Sequence, residues 1–117
     1  MTATVHGIRN CDTVKKALAW LAAEGIEYRF HDYKKEGVDQ EKLRAWVDAL
    51  GWEALLNRSG TTFRKLPEAE RDVKDADGAV ALMIANPSAI RRPVVERGPA
   101  LLVGFKPDAY RSALIEG

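Results

Sequence analysis

The residue best suited to chemistry is Cys11, the single cysteine of this 117-residue chain. It stands in the segment Arg9-Asn10-Cys11-Asp12-Thr13, where a short β-branched run gives way to a helical pattern. At a helix N-terminus, unpaired backbone N–H groups and the positive end of the helix dipole point toward the side chain. An ordinary thiol has a pKa near 8.5 and is only about 3% ionised at pH 7, and such surroundings lower that pKa. The position therefore favours a nucleophilic thiolate over the alternative of a small buried core residue.

A single cysteine also limits the chemistry of the chain. No Cys-x-x-Cys pair is present, because the third residue after Cys11 is Val14. One cysteine cannot form an internal disulfide scaffold, and it is too few for a thiolate-based zinc site. A mixed disulfide on Cys11 must therefore be resolved by a thiol from outside the chain.

Several other side chains are candidates for the same site. Arg58 follows a predicted short helix, Arg92 immediately precedes Pro93, and Lys106 precedes the last predicted helix. Taken alone, each basic residue has the usual interpretation of a solvated surface charge. The hydroxyl of Thr13 could donate to the sulfur or simply cap the helix, and capping is the commoner role.

The two histidines, His6 and His31, are candidates for acid–base groups because imidazole titrates near neutral pH. His31 alternates onto the polar side of its strand, so we expect it to be solvated.

The elements that must position Cys11 follow from the hydrophobic period. Residues 4–8 form a predicted strand, and apolar residues spaced three and four apart between 14 and 22 predict a helix after it. Asp12 or Thr13 is the expected N-cap. Residues 26–31 alternate apolar with polar, which predicts a second strand. Because a whole helix connects the two strands, a right-handed βαβ unit with parallel strands is favoured.

The rest of the chain predicts helices followed by a hairpin. In order, the pattern indicates a helix with Asp39 as its N-cap and Gly51 as its stop, a short helix over 52–56, a loop over 57–67, a helix over 77–85 and a β-hairpin over 94–103. A final helix from Pro107 can turn Tyr110, Ala113 and Leu114 toward the sheet. We expect one α/β domain over residues 1–117, with a core of about 1–38 and 87–117 and a helical insertion of about 39–86. This is the layout of a thioredoxin-like four-stranded mixed sheet, with the strand order left open.

Charge and hydropathy exclude other classes of protein. Eighteen Lys and Arg residues against seventeen Asp and Glu residues give a formal net charge of +1, too little to attract nucleic acid or anionic lipid. No stretch approaches the roughly 18 apolar residues of a membrane span, and the N-terminal pattern differs from a signal peptide. Together with the single cysteine, which excludes a disulfide-stapled secreted scaffold, these patterns lead us to expect a cytoplasmic protein. We also expect a monomer, although no pattern in the sequence decides the oligomeric state.

Five collinear segments carry a resemblance to a known family. They are residues 6–17, 30–33, 55–66, 90–94 and 102–106, and they cover nearly the whole chain. Together they resemble the arsenate-reductase-related (ArsC/Spx) family of thioredoxin-like proteins, most closely its YffB-like branch.

The resemblance implies roles for particular residues. Cys11 takes the place of the nucleophile, Arg92 that of the arginine before a cis-proline, and Pro93 that of the cis-proline itself. Lys106 falls where the reductases use a third arginine. Asn57 aligns with the loop arginine and Arg58 lies one residue later, so that register stays open.

The same resemblance implies Asn10, Thr13, Asn57 and Pro93 as substrate-binding residues, and it implies no bound cofactor or metal. Its leading implication for function is a glutathione-dependent thiol reductase or thiol-transfer protein, with glutathione as co-substrate. One alternative is an arsenate reductase that uses glutathione and glutaredoxin. A third is an Spx-like redox regulator that binds RNA polymerase. Lysine lacks the planar fork with which arginine holds an oxyanion, so Lys106 favours the thiol reductase.

Overall fold

The computed structural model describes residues 1–116. Gly117, the last residue of the predicted domain, lies outside them. The chain forms two compact units, one made of Met1–Glu36 together with the chain from Arg92 onward, the other of Gly37–Arg91. The first unit contains the sheet, and the second is helical.

The sheet of the first unit has four strands, β1 (Ala3–Gly7), β2 (Tyr28–Asp32), β3 (Val94–Arg97) and β4 (Ala100–Val103). Their order is β2-β1-β3-β4, which settles what the hydrophobic period left open. β1 and β2 are parallel, whereas β3 runs antiparallel to β1 and β4 antiparallel to β3. The predicted four-stranded mixed sheet of thioredoxin-like type is therefore confirmed.

The connection between β1 and β2 is the helix α1 (Asp12–Ala23), which buries Val14, Ala17 and Leu21 as its period predicted. The predicted N-cap was wrong, because neither Asp12 nor Thr13 holds that position. Cys11 is the N-cap, with an extended backbone at φ −142° and ψ 123°. The helix thus begins at the residue directly after the cysteine.

A single helical turn, α2 (Tyr33–Glu36), follows β2 without a linker and was not predicted. Asp32 stabilises this turn with two hydrogen bonds, one that it accepts and one that it donates. The Asp32 carboxylate accepts a hydrogen bond from the Lys34 N–H at 2.9 Å, and the Asp32 N–H donates to the Glu36 carboxylate at 3.2 Å. This reciprocal arrangement is related to a capping box, so an Asp followed by Glu was the available sequence signal.

The second unit contains α3 (Gln40–Leu50), α4 (Trp52–Leu55), α5 (Thr61–Arg64), α6 (Glu68–Arg71), α7 (Ala76–Ala85) and a 3₁₀ turn (Pro87–Ala89). The predicted cap of α3 is confirmed, because the Asp39 carboxylate accepts hydrogen bonds from the N–H groups of Glu41 and Lys42 at 2.9 and 3.2 Å. No helix within residues 1–116 combines the length and the apolar character needed to cross a bilayer.

The loop predicted over residues 57–67 was wrong in its centre, where α5 forms. The Arg64 N–H donates to the Gly60 carbonyl at 3.1 Å, and the Lys65 N–H donates to the Thr61 carbonyl at the same distance. This one turn buries Phe63. Its polar, glycine-containing sequence resembles a loop because a single turn is too short to show a helical period.

The last helix, α8 (Pro107–Arg111), continues as a π-helical turn (Ser112–Glu116). As predicted, Tyr110 and Leu114 face the sheet. With α1 and the sheet they form one apolar core, whose buried members are Ala3, Val5, Ala17, Leu21, Ile26, Val95, Tyr110 and Leu114. The Tyr110 hydroxyl donates to the Gly104 carbonyl at 2.6 Å, which satisfies the one polar atom that this ring brings into the core.

This hydrogen bond gives a test of the packing. We expect Tyr110→Phe to lower the free energy of unfolding by about 0.5–1.5 kcal/mol, because the half-buried Gly104 carbonyl loses its donor. Tyr28→Phe is the matched control, since Tyr28 is 39% exposed and should change stability by less than about 0.5 kcal/mol. Urea denaturation of the three proteins measures both effects, and equal stabilities would contradict the assigned role of the bond.

Candidate active site

The side chains of the first unit that could take part in chemistry lie at one edge of the sheet. β1 and β2 both end at this edge, β3 begins there, and β4 ends there. The segments that leave or enter the strands at this edge contain Cys11 after β1, Tyr33 after β2, Arg92 before β3 and Lys106 after β4. The strand directions alone therefore place these four residues at the same end of the sheet.

The sulfur of Cys11 lies at the N-terminus of α1 and is partly exposed. Within the described chain its side chain forms no conventional capping hydrogen bond. The N–H groups of Val14 and Thr13 nevertheless lie close enough to act on it electrostatically. These are the third and second residues of the helix, the donors that a capping side chain normally satisfies. The cysteine thus stands where a negative charge is favoured.

The pKa of the Cys11 thiol is lowered from its ordinary value. Partial burial raises this pKa, but the Val14 N–H, the hydrogen bond and positive charge of Arg92, and the Thr13 N–H all lower it, and together they prevail. Arg92 contributes in two ways, through its hydrogen bond and through its charge. The sulfur is therefore predisposed to be a thiolate.

The backbone around Arg92 fits the expectation for this position. The peptide bond between Arg92 and Pro93 is cis, as the resemblance implied. The Pro93 carbonyl accepts a hydrogen bond from the Gly104 N–H at 2.8 Å, which joins the entry to β3 with the exit from β4. A Cβ atom at Gly7 would lie 3.0 Å from Val14 and 3.6 Å from the Cβ of Arg92. Gly7 therefore allows α1 and Arg92 to approach β1, a requirement that sequence reasoning missed.

The sheet face opposite the apolar core carries titratable side chains. The register pairs His6 of β1 with His31 of β2, and their ring centroids are 5.1 Å apart. His6 is buried, with its Nε2 2.6 Å from Oε1 of Glu96. The Nδ1 of His31 is 3.7 Å from Oε2 of Glu36. The expectation that His31 is solvated was wrong, because its side chain is only 20% exposed. The alternation of polar and apolar residues in β2 predicted the face of the sheet on which His31 lies, but it could not predict that His31 packs against His6.

The remaining predicted site residues of the first unit are exposed. Asn10 precedes the cysteine, Thr13 lies in the first turn of α1, and Lys106 is the N-cap of α8. Lys106 is not among the groups that shift the pKa of Cys11. Of the predicted cations in this unit, only Arg92 is therefore shown acting on the sulfur.

The other two predicted residues, Asn57 and Arg58, belong to the helical unit. The Asn57 N–H donates to the Ala89 carbonyl at 2.8 Å, and its side-chain oxygen accepts from the Ser59 hydroxyl at 3.1 Å. The Arg58 guanidinium lies 5.5 Å from the ring centroid of Trp52. Their place in a substrate site, and the register between them, stay predictions.

Comparison with protein families gives a match over residues 6–113 to the ArsC family. The chain belongs to the ArsC family. It is 41% identical over 110 residues to an uncharacterised protein of Haemophilus influenzae, covering 94% of this chain and 96% of that one. The global transcriptional regulator Spx of Streptococcus pyogenes is 24% identical over 107 residues, covering 90% of this chain and 79% of Spx.

Solved structures of family members have the same fold. The YFFB protein has 54% sequence identity and a TM-score of 0.92, covering 96% of this chain and 98% of its own. An arsenate reductase (ArsC) related protein from Brucella melitensis has 55% identity and a TM-score of 0.76, covering 98% and 96% of the two chains. The predicted resemblance to the ArsC family and to its YffB-like members is thus confirmed.

The environment of the sulfur gives a direct test. We expect Arg92→Met to raise the pKa of Cys11, because the substitution removes a hydrogen bond and a positive charge from the thiolate. Arg91→Met is the matched control, since Arg91 is the adjacent exposed arginine and does not act on the thiol. Thiolate absorbance in the ultraviolet, followed during pH titration, measures the pKa. A pKa unchanged by Arg92→Met would contradict the assigned contact.

Proposed function

We propose that this ArsC-family protein is a glutathione-dependent thiol reductase with Cys11 as its nucleophile. The observation that carries the proposal is the lowered pKa of Cys11 at the start of α1, with Arg92 hydrogen-bonded to the sulfur. A thiolate, unlike a thiol, attacks disulfide sulfur, and a thiol pKa near the ambient pH gives the fastest exchange. The single cysteine supports a mechanism in which a second thiol arrives with a co-substrate.

The reaction consists of two thiol–disulfide exchanges. In the first, the Cys11 thiolate attacks the glutathionyl sulfur of a mixed disulfide R–S–SG, so that Cys11–S–SG forms and R–S⁻ departs and takes a proton. In the second, the thiolate of another glutathione attacks the glutathionyl sulfur of Cys11–S–SG, which releases glutathione disulfide and restores the Cys11 thiolate. The net reaction converts R–S–SG and one free glutathione into R–SH and glutathione disulfide, whose other half is the glutathionyl group taken from the substrate.

Basic residues at the same sheet edge have a second role in this proposal. Glutathione carries carboxylates, and a cation near the nucleophile would orient them. Lys106 is exposed, N-caps α8 and forms no ion pair within residues 1–116, so its ammonium group is available to a ligand. Asn10 and Thr13, exposed on either side of Cys11 in the chain, supply further polar contacts.

The central test is covalent capture. After incubation with glutathione disulfide, mass spectrometry is expected to show one glutathionyl adduct on Cys11 of the wild type and none on Cys11→Ser. The same substitution should abolish reduction of a glutathionylated peptide by glutathione. If the wild type formed no adduct and its thiol titrated at the ordinary pKa, the proposal would be wrong.

Lys106 gives a test of glutathione binding. We expect Lys106→Met to raise the KM for glutathione about two- to fivefold, the scale of an exposed ion pair, with little change in kcat. Lys74→Met is the charge-matched control, because Lys74 already has a partner, Asp72, at 3.5 Å. Steady-state kinetics at low and high salt measures the effect, which should shrink at high salt. An unchanged KM would exclude Lys106 from glutathione binding.

Family membership favours one second candidate, reduction of arsenate by the same cysteine. A coupled assay with glutathione, glutaredoxin and arsenate separates the two functions. Turnover of arsenate that matches turnover of the glutathionylated peptide would favour the second candidate. Turnover of the peptide alone would favour the thiol reductase, as the lysine at position 106 predicts.

A further inference from the structure

The hydroxyl of Tyr33 has no place in the mechanism described so far. Tyr33 is only 3% exposed, and its hydroxyl oxygen is buried without a hydrogen-bond partner in the described part of the chain. Buried polar groups are nearly always hydrogen-bonded, because leaving one unpaired costs the desolvation free energy of that group. By contrast, the other buried tyrosine, Tyr110, donates its hydroxyl to a carbonyl. An unpaired hydroxyl beside a reactive centre suggests a partner in another state of the protein.

Ring contacts and strand register place Tyr33 close to the thiolate site. Its ring packs edge-on against His31, with centroids 6.2 Å apart. His31 in turn packs against His6 on the polar face of the sheet. Tyr33 also directly follows Asp32, which pairs with Gly7 in the parallel register. Gly7 is the position at which the Arg92 side chain comes close to β1, since a Cβ atom there would lie 3.6 Å from the Cβ of Arg92.

The charges of Arg92 and Glu96 both affect the pKa of the Tyr33 phenol. Burial raises the pKa of Tyr33, the positive charge of Arg92 lowers it, and the negative charge of Glu96 raises it. The balance is upward, so the phenol is neutral at physiological pH. A neutral phenol oxygen retains lone pairs that can accept a hydrogen bond from a guanidinium group.

The bond between Arg92 and the sulfur depends on the redox state of Cys11. In the reduced protein Arg92 donates to a sulfur that carries negative charge, and such charge-assisted hydrogen bonds are stronger than neutral ones. In a mixed disulfide the same sulfur is neutral and a weak acceptor. The half-buried Arg92 then loses its charged partner at the sulfur, and a nearby neutral acceptor becomes competitive.

We propose that Tyr33 is a positioning residue that accepts a hydrogen bond from Arg92 when Cys11 carries a mixed disulfide. Arg92 thus has two positions, one on the thiolate and one on the phenol oxygen, and Tyr33 stabilises the covalent intermediate by acting through Arg92. The inference rests on the proposed function, because it requires that Cys11 form a mixed disulfide with glutathione.

The test measures the equilibrium of one exchange, in which the Cys11 thiolate and glutathione disulfide give Cys11–S–SG and the glutathione thiolate. We expect Tyr33→Phe to lower this equilibrium constant about tenfold, the scale of a hydrogen bond to a charged group. The pKa of Cys11 in the reduced protein should not change, since Arg92 still lies on the sulfur. Tyr28→Phe, at the far end of β2, should leave both quantities unchanged.

A double-mutant cycle with Arg92→Met shows whether Tyr33 acts through Arg92. Tyr33→Phe should have no effect on the equilibrium constant once the guanidinium is gone. Urea denaturation of the reduced proteins should show Tyr33→Phe to be at least as stable as the wild type, since the hydroxyl it removes is unpaired.

Three results would overturn the inference. They are an unchanged equilibrium constant in Tyr33→Phe, an equal decrease in the Arg92→Met background, and a loss of stability in reduced Tyr33→Phe. Each of them leaves the adduct on Cys11 intact, so the proposed function would survive. Absence of the adduct in the wild type would instead remove the proposed function and the inference together.

Discussion

The stabilisation of negative charge on one sulfur is the interaction on which the functional architecture depends. Backbone N–H groups at the start of α1 provide part of it, and Arg92 provides the rest. The two contributions come from distant parts of the chain, since Arg92 follows the whole helical unit in sequence. Parallel pairing of β1 with β2 and antiparallel pairing with β3 bring their ends to one edge. The sheet order is thus what makes the thiolate site possible.

The two faces of the sheet differ in the side chains that they carry. One face is apolar and packs against α1 and α8, where Tyr110 and Leu114 complete the core. The other carries His6, His31 and Glu96 in contact across three neighbouring strands. Burial of such groups is costly unless they are paired, and the short contact between His6 and Glu96 meets that condition. Polar groups are tolerated here because they satisfy one another.

Much of this arrangement could be predicted from the sequence, because strands and long helices have distinct hydrophobic periods. The junction at Cys11 was predicted in this way, and Asp39 was recognised as a cap because aspartate is a strong one. The preference for aspartate at N-caps gave a wrong prediction at α1, where Asp12 is a better capping residue than cysteine but lies inside the helix. The single helical turns that begin at Tyr33 and at Thr61 were not predicted, because four residues are too few to show a helical period.

Long-range contacts could not be predicted from local pattern. Arg92 alone has the sequence signature of a surface charge, and only the resemblance to a family pointed to it. The parallel register that places His31 against His6 and the close approach at Gly7 depend on strand pairing, which periodicity does not give. Tyr33 ends one of the segments that carry the family resemblance, but the sequence does not indicate its role, because that role is inferred from an unpaired atom rather than from a motif.

The position of Cys11 at the start of α1 also couples the stability of the fold to the ionisation of its thiol and to the cleavage of a disulfide at its sulfur. Contacts that hold the thiolate in the folded chain are absent in the unfolded chain. They therefore stabilise the reduced fold fully above the pKa of the unfolded thiol, and this stabilisation is lost as the pH falls through the lower folded pKa. For the same reason, they make the folded sulfur a better leaving group than an ordinary cysteine. In the proposed mechanism, an incoming thiol would therefore break a mixed disulfide on Cys11 more readily in the folded protein than in a denatured chain.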